Sequence, residues 1–304
     1  MKRVILTSSS GLCLIHANRA DMVAPIIFRF VWGPLPSPSH LDGYFAGRSL
    51  RIFEETHWSD FVGRFSRADL THKDTSLLWF CEKYGVDVIE LWFDPTPNDQ
   101  LQLIWALDYL RADPALAERL RLRHVDFDLL GADGAGLRTR TVRESDVTET
   151  EFEIANMAWE AYRAPTPELC FGLLSRNLST LPFLKPALQE HLTELPSPTT
   201  GLGATEAQLL ELIARGSDRT KELFQLRKPN NTRVFDQWEL GTLLEELAFG
   251  PMPAVAGLDG KLAILNPDDS RARHAAFLRS RLSLTEFGEA VLAGRENFRR
   301  HNPR

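Results

Sequence analysis

Two short stretches concentrate the side chains that could do chemistry. Ser8-Ser9-Ser10-Gly11 sets three hydroxyls and a glycine between the β-rich run of residues 3–7 and the next apolar segment. Asp94-Pro95-Thr96-Pro97-Asn98-Asp99-Gln100 sets five hydrogen-bonding side chains, two of them carboxylates, between an apolar run and an apolar helix. At the carboxyl ends of parallel strands, unpaired backbone N–H groups and the positive ends of helix dipoles face outward toward a ligand. The hydroxyls of Ser8, Ser9 and Ser10 and the backbone at Gly11 suit a phosphate or carboxylate; the same turn also reads as a cap. Asp94 or Asp99 can act as a general acid or base, with Asn98 and Gln100 contacting a ligand. On the structural alternative, Asn98 caps the helix, Asp99 complements its dipole and Asp94 closes an Asx turn.

Other candidates are weaker. Trp32, ahead of Gly33-Pro34, offers an aromatic wall, and Arg48 is the candidate among Arg48, Arg51, Arg64 and Arg67 to meet an anion. His16, five residues past Gly11, can approach the serine turn or simply sit partly buried and satisfied. No two histidines have metal-ligand spacing, and the chain has no GxGxxG, Walker lysine or GxSxG motif. No cofactor and no metal are therefore expected.

These corners need a frame. Residues 3–7, Ile26–Trp32, Val86–Phe93 and Leu122–Leu130 read as strands, with helices near 12–23, 71–84, 100–110 and 114–120 between them. Alternating strands and helices predict an α/β fold with a mostly parallel, Rossmann-like sheet over residues 1–135. The Gly-rich, charged stretch 131–147 reads as a boundary, and 136–200 as a helical linker region in which Thr148 and Glu151 form a capping box.

Residues 201–304 read as a winged-helix-like module. Thr205 and Gln208 cap a first helix, a second runs from Asp218 to about Lys228, and Asp236 caps a third. Asp259-Gly260 marks a hairpin, and Ser283 with Glu286 caps a closing helix that Gly294 stops. The third helix holds Asp236, Glu239, Glu245 and Glu246 and no Lys or Arg, which argues against placing it on phosphates. The last 34 residues carry eight arginines against three glutamates, a net +5, which suits an acidic protein partner.

The whole-chain numbers agree. With 304 residues, 43% hydrophobic and 25% charged, the chain is an ordinary globular one, long enough for two cores. A net charge of −6 argues against non-specific coating of nucleic acid. Three scattered cysteines, Cys13, Cys81 and Cys170, fit buried thiols in a reducing cytoplasm. The initial VIL run is too short for a secretion signal, and no apolar stretch is long enough for a membrane span.

The segment LWFDPTPNDQLQLIWALDYL, residues 91–110, resembles the central motif of a bacterial group, the domain-of-unknown-function 1835 family. In that family a strand ending in Trp leads through a polar turn to Asp-Gln-Leu at the start of an apolar helix. Trp92 and Asp99-Gln100-Leu101 match, and the serine turn and Gly33-Pro34 also fit. MAWEAYRAPTPELC and LPFLKPAL resemble the family's helical tail. The first turn departs, with three serines where an acidic or glycine-rich turn is expected. The resemblance implies no established reaction; it adds weight to the polar turns as a shared cleft.

The reading is a cytoplasmic α/β protein that binds a small anionic or polar ligand at its strand ends, with a carboxylate acid/base if it is an enzyme. The alternative is a regulatory or scaffold protein whose C-terminal module contacts another protein.

Overall fold

Unbroken runs of β-branched and large apolar residues favour strands covered on both faces. Two such runs, Val4–Leu6 and Leu91–Phe93, lie at the centre of a sheet. β1 (Lys2–Ser8) and β3 (Val86–Phe93) pair in parallel, with Val4 opposite Ile89 and Thr7 opposite Trp92. β2 (Met22–Ile26) lies parallel outside β1, β4 (Leu120–His124) parallel outside β3, and β5 (Glu144–Asp146) antiparallel at the edge. The order is β2-β1-β3-β4-β5. This is the expected α/β class with a mostly parallel sheet. The structure is a computed structural model and describes residues 1–47, 57–61, 76–224, 233–259 and 276–303. Among them, no helix is long and apolar enough to cross a membrane.

The chain divides into two compact units, Met1–Leu188 and Gln189–Arg304. In the first, strand alternation sends Ile5, Glu90, Trp92 and Arg123 to one face and Leu6, Ser8, Leu91 and Phe93 to the other. On the first face, α1 (Leu14–Ala17) and α6 (Gly134–Thr139) bury Leu14, Ala17 and Leu137 against Ile5, Val23 and Trp92. On the second face lies α4 (Pro97–Leu110), which packs in turn on α7 (Glu149–Tyr162). α7 carries the capping box of Thr148 and Glu151. α4 buries Leu101, Leu103, Ile104, Trp105, Leu107 and Leu110 because it is covered on both sides.

Several elements depart from the sequence reading. The second strand is Met22–Ile26 rather than Ile26–Trp32, and the first helix stops at Ala17, where Asn18 turns left-handed at φ 53°. Pro25 disguises the strand; it is tolerated because β2 is an edge. The 26–32 run is apolar for another reason: Phe28 and Phe30 pack edge-on to Trp105, with centroids 5.6 and 5.7 Å away. The fourth strand ends at His124, and Val125 and Leu129 are buried from a loop instead. The 131–147 stretch holds α6 and β5, and a three-residue edge strand of Glu-Ser-Asp carries no apolar signature.

In the second unit, α10 (Ala204–Ala214), α11 (Thr220–Leu223) and α12 (Gln237–Phe249) precede β6 (Val255–Ala256), which pairs antiparallel with β7 (Ser283–Leu284). Gly203, not Thr205, caps α10: Glu206 Oε2 accepts the Gly203 N–H at 2.8 Å, while Thr205 donates to Glu194. Ser283 is a strand residue, and the helix Glu286–Leu292 is capped by Thr285. Asp236 caps α12 as expected. Gly260 and the rest of the proposed hairpin after Asp259, and the far end of the second helix, lie outside the described residues.

Candidate functional site

The sheet order has a chemical consequence. After β1 the chain crosses through α1 on one face to β2; after β3 it crosses through α4 on the other face to β4. The gap between the carboxyl ends of β1 and β3 is therefore a topological switch point, where α/β sheets bind ligands. The serine turn leaves β1 there, and the 94–100 turn leaves β3. The two stretches meet: Ser8 Oγ donates to Asp99 Oδ2 at 2.7 Å across 91 residues of sequence.

The meeting is a buried clasp. Asp99 Oδ2 also accepts the Asp94 backbone N–H at 3.0 Å, and Ser8 Oγ accepts the Ser10 N–H at 3.1 Å. Asp94 Oδ1 accepts both the N–H (2.9 Å) and the hydroxyl (2.6 Å) of Thr96, and its Oδ2 accepts the Leu129 N–H at 3.2 Å. Gln100 Nε2 donates to the Asp94 carbonyl at 2.8 Å. Thr7 ties β1 to β3 by donating its hydroxyl to the Trp92 carbonyl at 2.6 Å. Ser8, Asp94, Asn98, Asp99 and Gln100 are all buried. Burial pushes the Asp94 carboxyl above its usual range; the Thr96 and Leu129 donors oppose this, and the nearby Asp128 charge adds to it.

The expected helix cap moves. Thr96 is the N-cap of α4 and Pro97 its first residue, a position proline favours. Thr96 gives its hydroxyl to Asp94 instead of capping. Asn98, now inside the helix, accepts the Phe30 N–H on Oδ1 at 2.9 Å, while its buried Nδ2 has no partner among the described residues. Gln102, one turn on, donates to the carbonyls of Ile26 and Phe28 at 3.2 and 2.5 Å, pinning the loop after β2.

The remaining candidates divide. Ser10 and Gly11 are buried, Ser9 and Trp32 are half-buried, and Arg48 lies outside the described residues. His16 is exposed on α1. Gly11 is needed for close approach: a Cβ there would sit 1.9 Å from Thr7 Oγ1 and 2.8 Å from Thr7 Cβ. Thr7 is buried and its hydroxyl is held by Trp92, so it has no room to swing away. Gly11→Ala is expected to lower stability by about 2 kcal/mol in urea titration; an unchanged midpoint would show that the turn relaxes freely.

Sequence reasoning missed Thr96 and the loop at Leu129. Thr-Pro ahead of an apolar helix is itself a start signal that points to Thr96. The Leu129 contact spans 35 residues and leaves no local trace. In comparisons with known proteins, no family model matches the chain and no curated protein matches it.

Proposed function

We propose that the first unit binds a small anionic or polar ligand at the carboxyl ends of β1 and β3, resting on the floor that Ser8, Asp94, Asp99 and Gln100 build. The single observation that carries this reading is the Asn98 Nδ2 amide, buried and without an acceptor at the start of α4, beside the switch point. Leaving such a donor unpaired costs about 1–3 kcal/mol, and a carbonyl, carboxylate or phosphate oxygen of a ligand supplies the acceptor. The half-buried Ser9 and Trp32 are the residues of the original set placed to meet solvent-borne molecules. If chemistry follows, Asp94 is the acid–base candidate, its carboxyl raised above its usual range by burial. Asp99, whose Oδ2 is held by Ser8 and the Asp94 N–H, is a positioning residue in this scheme. The resemblance of Trp92 and Asp99-Gln100-Leu101 to the 1835 family agrees with a cleft at this turn.

The test is a thermal-shift screen with carboxylates and phosphate esters on the wild type and on Asn98→Asp. That variant keeps an acceptor for the Phe30 N–H and removes the donor. At least one ligand class is expected to raise the wild-type melting temperature and to lose most of that effect in the variant. Equal shifts in both proteins would remove Asn98 from the site and the reading with it.

A second reading concerns residues 201–304. Arg219, just ahead of α11, bridges antiparallel to Arg281, and β6 pairs with β7 two residues further on. A helix, a bridge, two helices and a strand pair in that order support a winged-helix-like module. Its third helix, α12, has no basic residue, which favours a protein over nucleic acid as partner. Asp236 and Glu239 close its capping box and Glu246 pairs with Arg299 at 3.5 Å, so these acids serve the module itself. The basic tail is likewise partly engaged, Arg299 with Glu206 at 2.5 Å and Arg281 with Asp218 at 2.7 Å.

A further inference from the structure

Two buried amides on α4 each leave one end unused. Asn98 and Gln102 are 2% and 0% exposed and stand one helical turn apart. That spacing puts two side chains on one helix face, with Cβ atoms about 5–6 Å apart. Both engage the same short stretch of backbone after β2. Asn98 Oδ1 accepts the Phe30 N–H at 2.9 Å, and Gln102 Nε2 donates to the carbonyls of Ile26 and Phe28. These bonds fix which way each amide points. A flipped Asn98 would turn its NH2 on the Phe30 donor, and a flipped Gln102 would turn its oxygen on two carbonyls. The ends left over are a donor, Asn98 Nδ2, and an acceptor, Gln102 Oε1, and neither has a partner among the described residues.

The two ends do not bond to each other, so a group that satisfies both presents an acceptor and a donor side by side. A carboxylate, phosphate or ketone oxygen serves Asn98 alone. It leaves Gln102 Oε1 buried, unpaired and facing a second acceptor, which is costly. A carboxamide edge with its C=O and N–H on the same side serves both: the oxygen accepts from Asn98 Nδ2, and the nitrogen donates to Gln102 Oε1. Primary amides and lactams have that edge. A trans secondary amide does not, because its N–H lies opposite the C=O.

We propose that the ligand of the strand-end site carries a primary carboxamide or lactam edge, read by Asn98 and Gln102 as a donor–acceptor pair. This rests on the strand-end reading and narrows its ligand class. Asn98 begins α4 beside the switch point and Gln102 lies one turn further on. The amide is therefore the inner end of the ligand, and its remaining polar or anionic part faces the carboxyl ends of β1 and β3.

Calorimetry on the full chain with four carboxylates of similar shape tests this. Succinamate carries the carboxamide. Levulinate has a methyl in place of the NH2, N-methylsuccinamate sets a methyl beside the oxygen on the same edge, and succinate has a second carboxylate. Succinamate is expected to bind about tenfold more tightly than the other three, the value of one hydrogen bond to an otherwise unpaired buried acceptor. Gln102→Met, which removes that acceptor, is expected to bring succinamate down to the affinity of levulinate. Should this variant fail to fold, succinamate against N-methylsuccinamate on the wild type gives the same reading. Equal affinity of the four probes, the outcome if a bridging water satisfies both amides permanently, would overturn the proposal, as would no binding of succinamate. If the probes bind alike and all weaken in Asn98→Asp, the strand-end reading stands without this one; if Asn98→Asp binds all four as the wild type does, both fall.

Discussion

Glu90→Ala is expected to destabilise the protein by about 3 kcal/mol, because it strands charge inside the sheet domain. Glu90 is only 2% exposed and sits at the centre of a cluster on one face of the sheet. Its Oε2 accepts from Arg123 Nε at 3.0 Å and from Trp92 Nε1 at 2.8 Å, and its Oε1 accepts from Arg123 Nη2 at 2.8 Å and from Arg3. Removing the carboxylate leaves an indole N–H without its acceptor and Arg123, whose side chain is 13% exposed, with Glu144 as its remaining counter-ion among the described residues. The lower end of the range for broken buried pairs applies because the Arg3 side chain is one-third exposed, at 34%. Glu90→Gln, which keeps the shape and one acceptor oxygen, is expected to cost about half as much.

The same residue sets a pH dependence. Burial alone would raise the Glu90 pKa; the hydrogen bonds from Arg123 and Trp92 and the charges of Arg123 and Arg3 outweigh it, so the carboxyl titrates below its usual range. The stability this gives is complete above the unfolded glutamate value of about 4.3. It is lost as pH falls through the lower folded value. Urea midpoints taken from neutral pH into acid are therefore expected to fall more steeply for the wild type than for Glu90→Gln below about pH 4. Parallel curves, or a neutral-pH midpoint for Glu90→Ala equal to the wild type's, would mean that the cluster relaxes into solvent.

Asp99→Ala is the second large effect, again about 3 kcal/mol. It deletes the acceptor shared by the Ser8 hydroxyl and the Asp94 N–H, both buried. It also frees the start of α4 from the end of β1, so the two turns at the switch point are no longer tied. Ser8→Ala removes that hydroxyl donor and the acceptor of the Ser10 N–H, and is expected to cost about 1 kcal/mol. The double variant is expected to fall short of the sum by about 1 kcal/mol, since the two side chains lose one shared bond. Strict additivity, measured by urea unfolding of all four proteins, would show that the Ser8–Asp99 bond contributes nothing. A ligand-contacting carboxylate with no structural duty predicts the opposite pattern, in which binding changes and stability does not.

These results bear on what each polar residue is for. The types present at 94–100 are those that do acid–base chemistry, and they are also those that cap helices and close turns. Both duties fall on the same groups: the Asp94 side chain accepts hydrogen bonds from Thr96 and Leu129, and the Asp99 side chain accepts them from Ser8 and the Asp94 N–H. Neither arrangement is local. Asp94 depends on Leu129, and Asp99 depends on Ser8.

The sequence by itself determined the parallel core, because strands covered on both faces carry apolar runs without alternation, and Val4–Leu6 and Leu91–Phe93 are such runs. It also determined α7 and α12, whose caps lie within a few residues of the turns they satisfy. Only the tertiary structure decided which apolar run near residue 26 pairs with β1. Ile26–Trp32 has the stronger β composition and Pro25 disguises Met22–Ile26, but packing of Phe28 and Phe30 on Trp105 takes the later run out of the sheet. It also decided that the two polar turns close on each other. Hydrogen bonds join residues far apart in the chain, and spacing along a sequence records only neighbours.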